Sequence, residues 1–198
     1  PMPELSEQEI LRREALTQLH ELGIDPYPAA LYPVTAYSGE ILNELTSNPD
    51  KFKEISIAGR IMTRRIMGAA SFAEIQDTQG RIQVYFKRDD LCPGEDKTLY
   101  NIVFKKLLDI GDIIGVKGFG FVTQTGEISV HAQSFTLLSK SVKPLPVVKE
   151  KDDKIYDAFT DPEQRYRNRS LDLIVNPQVR DTFVKRSMLT NSMREFLT

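Results

Sequence analysis

Tryptophan is absent from these 198 residues, cysteine occurs once and histidine twice, and each scarcity removes a class of function. One thiol cannot build a disulfide framework, and with His20 and His131 isolated in sequence no zinc-ligand spacing exists. Cys92, beside Pro93 and Gly94, reads as an incidental thiol in a turn. No apolar run approaches the roughly 18 residues that a membrane span needs. The opening PMPELSEQEI lacks the basic-then-apolar layout of a secretory signal. The expectation is a cytoplasmic protein with no membrane partner. A glycine-rich phosphate loop is also missing. Without tryptophan, a polysaccharide is the weakest of the candidate ligands for a stacking surface.

Charge of one sign is lacking too. Lys and Arg total 26 against 28 for Asp and Glu, a net of −2, so a polyanionic ligand would have to be held by a local cluster of cations. Two stretches qualify, GRIMTRRI and RYRNR. With 40% apolar and 27% charged residues the chain can bury a real core, and its length allows one or two domains.

Residues 6 to 22 predict an amphipathic helix. Ser6 and Glu9 stand at capping-box spacing, Leu11, Ala15, Leu19 and Leu22 recur at helical intervals, and Gly23 stops the run. Asp25-Pro26-Tyr27-Pro28 then forces an extended strip, because each proline biases the residue before it away from the helical region. A short second helix is expected over Glu40 to Leu45, with Ser38 as its cap, ending at Asn48-Pro49-Asp50.

From Ile55 the period changes to two. Ile55, Ile57 and Ile61 alternate with Ser56, Ala58 and Arg60; a second strand follows over Phe72 to Asp77; Gln79-Gly80 turns the chain into a third, Arg81 to Lys87. A helical interval, Thr98 to Leu108, precedes two more strands, Ile113 to Val122 and Ile128 to Leu138, joined across Gln124-Thr125-Gly126. Gly115, Gly118 and Gly120 suit the bends of a small closed barrel. The predicted class is mainly β with flanking helices: a five-stranded Greek-key barrel of the OB type, behind an amphipathic helix and ahead of a linker and a C-terminal helix. The expected divisions are a helical extension over 1–53, the barrel over 54–142, and a linker with the start of a further domain over 143–198.

One residue lies on the unexpected side of its strand. In SFAEIQDTQGRIQVYF, Ala73 and Ile75 fall on one face, while Phe72 shares the other with Glu74 and Gln76. On an OB barrel the outer face of strands two and three, with the loops joining strands one to two and four to five, is where oligonucleotides or oligosaccharides lie. An aromatic ring there can stack an unpaired base. Gln83, on the partner strand, offers a donor and an acceptor that match the Watson–Crick edge of uracil. Arg64 and Arg65 stand ready for a phosphate or a base edge, and Glu127 lies in the loop after Thr125-Gly126. Each residue has a plainer use: cross-strand packing or cover by a neighbouring element for Phe72, solvation for Gln83, solubility for the arginines.

The wording of the chain narrows this further. QEILRREALTQLHELGIDPYP, ISIAGRIMTRRIMGAASFAEIQD, DIGDIIGVKGFGFVTQTGEISVHAQSFTLLSKSVKPLP and DPEQRYRNRSLDLIVN together resemble class II lysyl-tRNA synthetases over essentially the whole sequence. The entry RRE…LGIDPYP resembles the lysyl members rather than their aspartyl and asparaginyl relatives, which share the barrel. The resemblance implies that the OB domain binds the anticodon stem-loop of tRNA. The family's strand-end arginine, stacking phenylalanine and glutamine match Arg64 or Arg65, Phe72 and Gln83. Phe72 and Gln83 would receive the middle uracil, and Glu127 would contribute to a flanking base. Tyr85, Arg60 and His131 are plausible neighbours of that site.

Lys143-Pro144-Leu145-Pro146 reads as a stiff extended linker. Arg165, Arg167 and Arg169 alternate, a register that puts three cations on one side of an extended strip; contact with the tRNA backbone and ion pairing with Asp161, Glu163 and Asp172 both fit it. Ser170 stands where the family usually carries tyrosine. Asn176-Pro177 predicts a cap and first position for a helix through Val179, Phe183, Leu189, Met193 and Phe196, which resembles the start of class II motif 1. Exposed Val179, Phe183 and Met193 would invite association. The resemblance implies a full-length enzyme that dimerises through motif 1 and uses ATP and Mg2+ to activate lysine and attach it to its tRNA. Motifs 2 and 3 are not in this stretch, so it is expected to be inactive alone, with no cofactor and no metal of its own. Two alternatives remain open: a single-stranded nucleic-acid-binding OB module without catalysis, and the anticodon domain of an aspartyl- or asparaginyl-type synthetase.

Overall fold

The computed structural model describes residues 5–146, 149–151, 154–156 and 159–198, in two compact units, Pro1–Pro144 and Leu145–Thr198. Pro1–Glu4, part of the stretch read for a signal layout, lie outside the described residues.

In the first unit, α1 (Glu7–Glu21) begins at the expected capping box. The Ser6 hydroxyl accepts from the Glu9 N–H at 3.3 Å, and the Glu9 carboxylate accepts from the Ser6 N–H at 3.0 Å, an arrangement that holds the Glu9 carboxyl below its ordinary range. Gly23, at φ +72°, ends it. The buried face differs from the leucine stripe: Arg12, Ala15 and Leu19 are buried, whereas Leu11 and Leu22 are exposed. Helix α2 (Ser38–Glu44) includes Ser38 rather than being capped by it. Tyr37 is the cap position, and the Ser38 N–H and hydroxyl both donate to the Asp77 carboxylate at 2.6 Å. The same carboxylate accepts from Gln79 and Gly80 N–H, so one side chain closes the hairpin turn and ties it to α2.

The strands are β1 (Ile55–Met67), β2 (Ala70–Gln76), β3 (Arg81–Lys87), β4 (Ile113–Val122) and β5 (Ile128–Ser139), closed in the order β1-β2-β3-β5-β4. All neighbours are antiparallel except β3 and β5, which run parallel. Ile57, Ile61, Ile75, Val84, Ile114, Val116 and Val130 fill the interior, each at most 1% exposed. After the one-turn α3 (Arg88–Leu91), residues Leu99–Leu107 plug one end of the barrel. This segment is π-helical: the Leu108 N–H reaches back five residues to the Val103 carbonyl. Its Phe104 ring stacks on Tyr100 and meets Phe86 at 4.4 Å. Cys92, just past α3, lies outside helix and strand as read, and it packs in this core at 6% exposure.

The glycines of β4 serve close approach more than bending. A methyl group at Gly118 would strike the His131 carbonyl oxygen; at Gly115 it would enter the Tyr32 ring, and at Gly120 it would stand 2.7 Å from Leu45 of the segment following α2.

The turn between the π-helix and β4, together with the segment after β5, explains the buried arginine of α1. Arg12 donates to the carbonyls of Ile110, Ser141 and Lys143, Arg60 to that of Gly111 at 2.7 Å, and Arg64 to those of Phe104 and Leu108 at 2.5 and 2.6 Å. The widened helix end and the irregular segments beside it leave carbonyls without N–H partners, and guanidinium groups supply them: Arg64 at the helix end, Arg12 and Arg60 beside it. Beside them Lys140, its side chain fully buried, meets Asp109 at 2.5 Å and Asp112 at 2.9 Å. Asp112 also accepts from the Ser141 and Asp109 N–H groups, each at 2.7 Å.

The second unit holds a two-stranded ladder, β6 (Lys149–Lys151) and β7 (Lys154–Tyr156), then α4 (Pro162–Arg167), α5 (Arg169–Val175) and α6 (Pro177–Leu197). Arg165, Arg167 and Arg169 thus lie in helical turns, not on an extended strip, and their common side is lost. Asp161-Pro162 starts the helix: the Asp161 carboxylate accepts from the Gln164 N–H at 3.2 Å. Asp172 collects Arg165 at 2.9 Å, Arg169 at 3.3 Å and the Asn176 amide at 2.6 Å. Burial pushes its carboxyl up, but these partners win and hold it below the usual range. Asn176 therefore occupies the cap position of α6 without its side chain capping the helix. On α6, Val179 and Phe183 are half-buried, and Leu189, Met193 and Phe196 are exposed.

Candidate nucleic-acid interface

The outer face of the barrel is fixed by register. Phe72 pairs with Tyr85, Glu74 with Gln83, and across the parallel pair Gln83 meets Ser129 and Tyr85 meets His131. On the far side Phe119 pairs with His131 and Phe121 with Ser129. All of these side chains project outward, opposite the buried Ala73, Val84 and Val130.

One irregularity decides between the two arginines. In β1 the pairing with β2 passes from Ile61 opposite Ile75 to Thr63 opposite Glu74, so Met62 is an extra residue. A bulge of one residue reverses which side chains face out. Beyond it, Arg64 pairs with buried Ala73 and turns to the π-helix carbonyls, where burial lowers its pKa. Arg65 pairs with Phe72, its guanidinium 5.7 Å from the ring centroid. Arg60 likewise serves the Gly111 carbonyl.

Phe72 stands between two cavities. One, of about 420 Å³, is lined by Thr63, Arg64, Arg65, Phe72, Glu74, Gln83 and Glu127. The other, of about 500 Å³, is bounded by Phe72, Gln83, Tyr85, Phe121 and the loop Thr123–Glu127. Arg65, Phe72, Gln83 and Glu127 border both. Helix α1 packs against the π-helix and leaves Phe72 uncovered.

Gln83 is pre-oriented. Its Nε2 donates to the Ser129 hydroxyl at 2.9 Å, and that hydroxyl donates onward to the Glu127 carbonyl at 3.4 Å. Because Ser129 spends its hydrogen on Glu127, it can only accept from Gln83; the Gln83 carbonyl oxygen and second amide hydrogen remain for a ligand. The Glu127 loop is held by a reciprocal pair, Thr123 N–H to the Glu127 carbonyl and Glu127 N–H to the Thr123 hydroxyl, each at 2.9 Å, with Gly126 at φ +85°. Among the described residues no ion pair engages the Glu127 carboxylate.

Sequence reasoning missed the breadth of the aromatic surface. Tyr85 lies 5.1 Å from Phe72 and 6.1 Å from Phe121, and His131 stacks on Phe119 at 4.8 Å. The signal was legible in KGFGFV, where two rings alternate with two glycines and must share one face. The three arginines of RYRNR are not among the residues lining either cavity.

Residues 55–138 match the family model described as OB-fold nucleic acid binding domain. The chain is 63% identical over 194 residues to a lysine--tRNA ligase of Porphyromonas gingivalis, covering 98% of this chain and 34% of that protein. It is 58% identical over 192 residues to the one from Azobacteroides pseudotrichonymphae, 97% of this chain and 38% of that protein. To the one from Christiangramia forsetii it is 54% identical over 196 residues, 98% of this chain and 34% of that protein. The chain therefore spans about a third of the length of these relatives. The closed barrel and the family match agree over residues 55–138, which form an OB-fold domain, and the chain is similar over nearly its whole length to about a third of each of these lysine--tRNA ligases.

Proposed function

We propose that this chain is the anticodon-recognition portion of a lysine--tRNA ligase, and that its groove around Phe72 receives the middle uracil of the anticodon. The observation that carries the reading is the shared edge of the two cavities: Phe72, Gln83, Arg65 and Glu127 border both, so one stacked base can be read while its neighbours enter on either side. The pyrimidine ring stacks on Phe72. The Gln83 carbonyl accepts from uracil N3–H, and its free amide hydrogen donates to a uracil carbonyl. Arg65 is the arginine of this site, cationic above the ring and open to a phosphate or base edge, whereas Arg64 supports the π-helix end. Glu127 accepts from an adjoining base. Arg165 and Arg169 are structural partners of Asp172, and Arg167 pairs with Glu163 at 2.7 Å.

The parent enzyme would activate lysine with ATP and Mg2+ and transfer it to the tRNA 3′ end, in the cytoplasm and as a homodimer. That chemistry would lie in the part of the relatives that this chain does not match. No helix of the described residues is long and apolar enough to cross a membrane. Binding energy gathered at the anticodon sets the register of an acceptor end that reacts elsewhere.

A second reading is favoured by the run of rings through Tyr85 and Phe121: a single-strand binder indifferent to sequence. Affinities for anticodon stem-loops differing at one base, at fixed salt, separate the two. A preference for uracil in the middle supports the proposal, and equal affinities at every position overturn it. Gln83→Ala is expected to shrink the ratio of uracil to cytosine affinity at that position by about tenfold, the worth of one or two hydrogen bonds. An unchanged ratio would remove Gln83 from the reading role.

A further inference from the structure

An acidic side chain sits at the edge of the face proposed for a polyanion. Asp90, on the one-turn α3, accepts from His131 Nε2 at 2.8 Å with one oxygen and faces Lys87 Nζ at 3.4 Å with the other. An ionised carboxylate only accepts, so the hydrogen of this contact lies on Nε2 and the imidazole is held in one orientation. The ring so held touches three others: Tyr85 edge-on at 5.1 Å, Phe119 stacked at 4.8 Å and Phe121 at 5.7 Å. Tyr85 and Phe121 are the aromatic wall of the larger cavity beside Phe72. Free of its anchor, the imidazole could turn about its own bonds, and the wall would lose the support that sets its two rings.

We propose that Asp90, acting through His131, is a positioning residue for RNA recognition: it fixes the Tyr85–Phe121 wall against which the base next to the middle one is seated. The inference rests on the anticodon reading above. Its force comes from sign. A carboxylate near a phosphate backbone repels it, so if Asp90 acted only by charge its removal would tighten RNA binding and flatten the salt dependence little. If it acts by orienting His131, removal weakens binding in spite of the lost repulsion.

The test compares Asp90→Ala and Asp90→Asn in the 198-residue chain, using a lysine anticodon stem-loop and two versions with an abasic nucleotide on the 5′ or the 3′ side of the middle base. Asp90→Ala is expected to weaken binding of the intact stem-loop by about two- to tenfold, the worth of one oriented hydrogen bond. Asp90→Asn keeps an oxygen that accepts from His131 and is expected to bind as well as the parent or better. With one of the two abasic ligands the Ala and parent proteins should bind alike, since the base that feels the wall is gone. Thermal melts of both variants report the fold separately. Unchanged or tighter binding by Asp90→Ala overturns the inference, and so does a loss that persists with both abasic ligands. If instead the parent fails to bind the stem-loop, or Phe72→Ala binds it as well as the parent, the anticodon reading itself has failed.

Discussion

Lys140→Met is expected to destabilise the barrel unit by about 3–5 kcal/mol, the cost of stripping a buried charge of its partner. Methionine keeps most of the stem, so packing changes little. What is lost is the cation that faces Asp112, whose carboxylate is fully buried. Burial already pushes the Asp112 carboxyl above its ordinary value, against the pull of Lys140 and of the Ser141 and Asp109 N–H groups. Without Lys140 it must rise further.

The sign of the pH dependence follows. A carboxyl whose folded pKa exceeds the unfolded value of about 3.9 favours the fold below that value, and this contribution is lost as pH rises through the folded pKa. The Lys140→Met deficit should therefore be largest near neutrality and shrink in acid. Denaturant unfolding at several pH values checks this, and a deficit independent of pH would mean that Asp112 is not the group left uncompensated. Adding Asp112→Asn should recover part of the loss by removing the charge, and only part, because the amide nitrogen that replaces one oxygen cannot accept from the Ser141 or Asp109 N–H that faced it.

The second large effect is on binding. Phe72→Ala should weaken the anticodon stem-loop by about 1–3 kcal/mol, roughly 5- to 150-fold, the worth of one base stacked on one ring. The ring is half-buried against Tyr85, so a small loss of stability accompanies the change, and the affinity must be read below the melting transition of both proteins. Phe72→Tyr keeps the π-face and should retain most of the affinity. Equal affinity of Phe72→Ala and the parent would remove the stacking ring from the account.

Much of this was legible in the sequence. Strand period, turn residues and the Ser6–Glu9 box marked the barrel strands and α1, because those elements are decided by local pattern. Phe72 and Gln83 could be assigned to one outer face since β2 and β3 run without a bulge from Ala70 to Lys87. Arg64 and Arg65 could not be told apart for the opposite reason. The extra residue at Met62 carries no signature among isoleucines and methionines, yet it decides which arginine lies beside Phe72 on the outer face.

Other misses trace to tertiary demand. Leu11 looks like a core residue by spacing, but Arg12 turns inward to the open carbonyls of Ile110, Ser141 and Lys143. The glycines of β4 make room for Tyr32, Leu45 and a bulged β5, partners far away in sequence. For RYRNR the extended register fails, while the ion pairing with Glu163 and Asp172 holds. Asp161-Pro162 is a helix start by its own chemistry and outweighs an alternation of three like residues.

The central claim is contact between the middle anticodon base and the Phe72–Gln83 groove. Photocrosslinking of an anticodon stem-loop carrying 4-thiouridine at the middle position, followed by tryptic mapping, reads that contact directly. The account predicts adducts in the peptides spanning 66–81 and 82–87, which carry Phe72 and Gln83. Adducts confined to the second unit, over 159–198, from a stem-loop that is demonstrably bound, would contradict it.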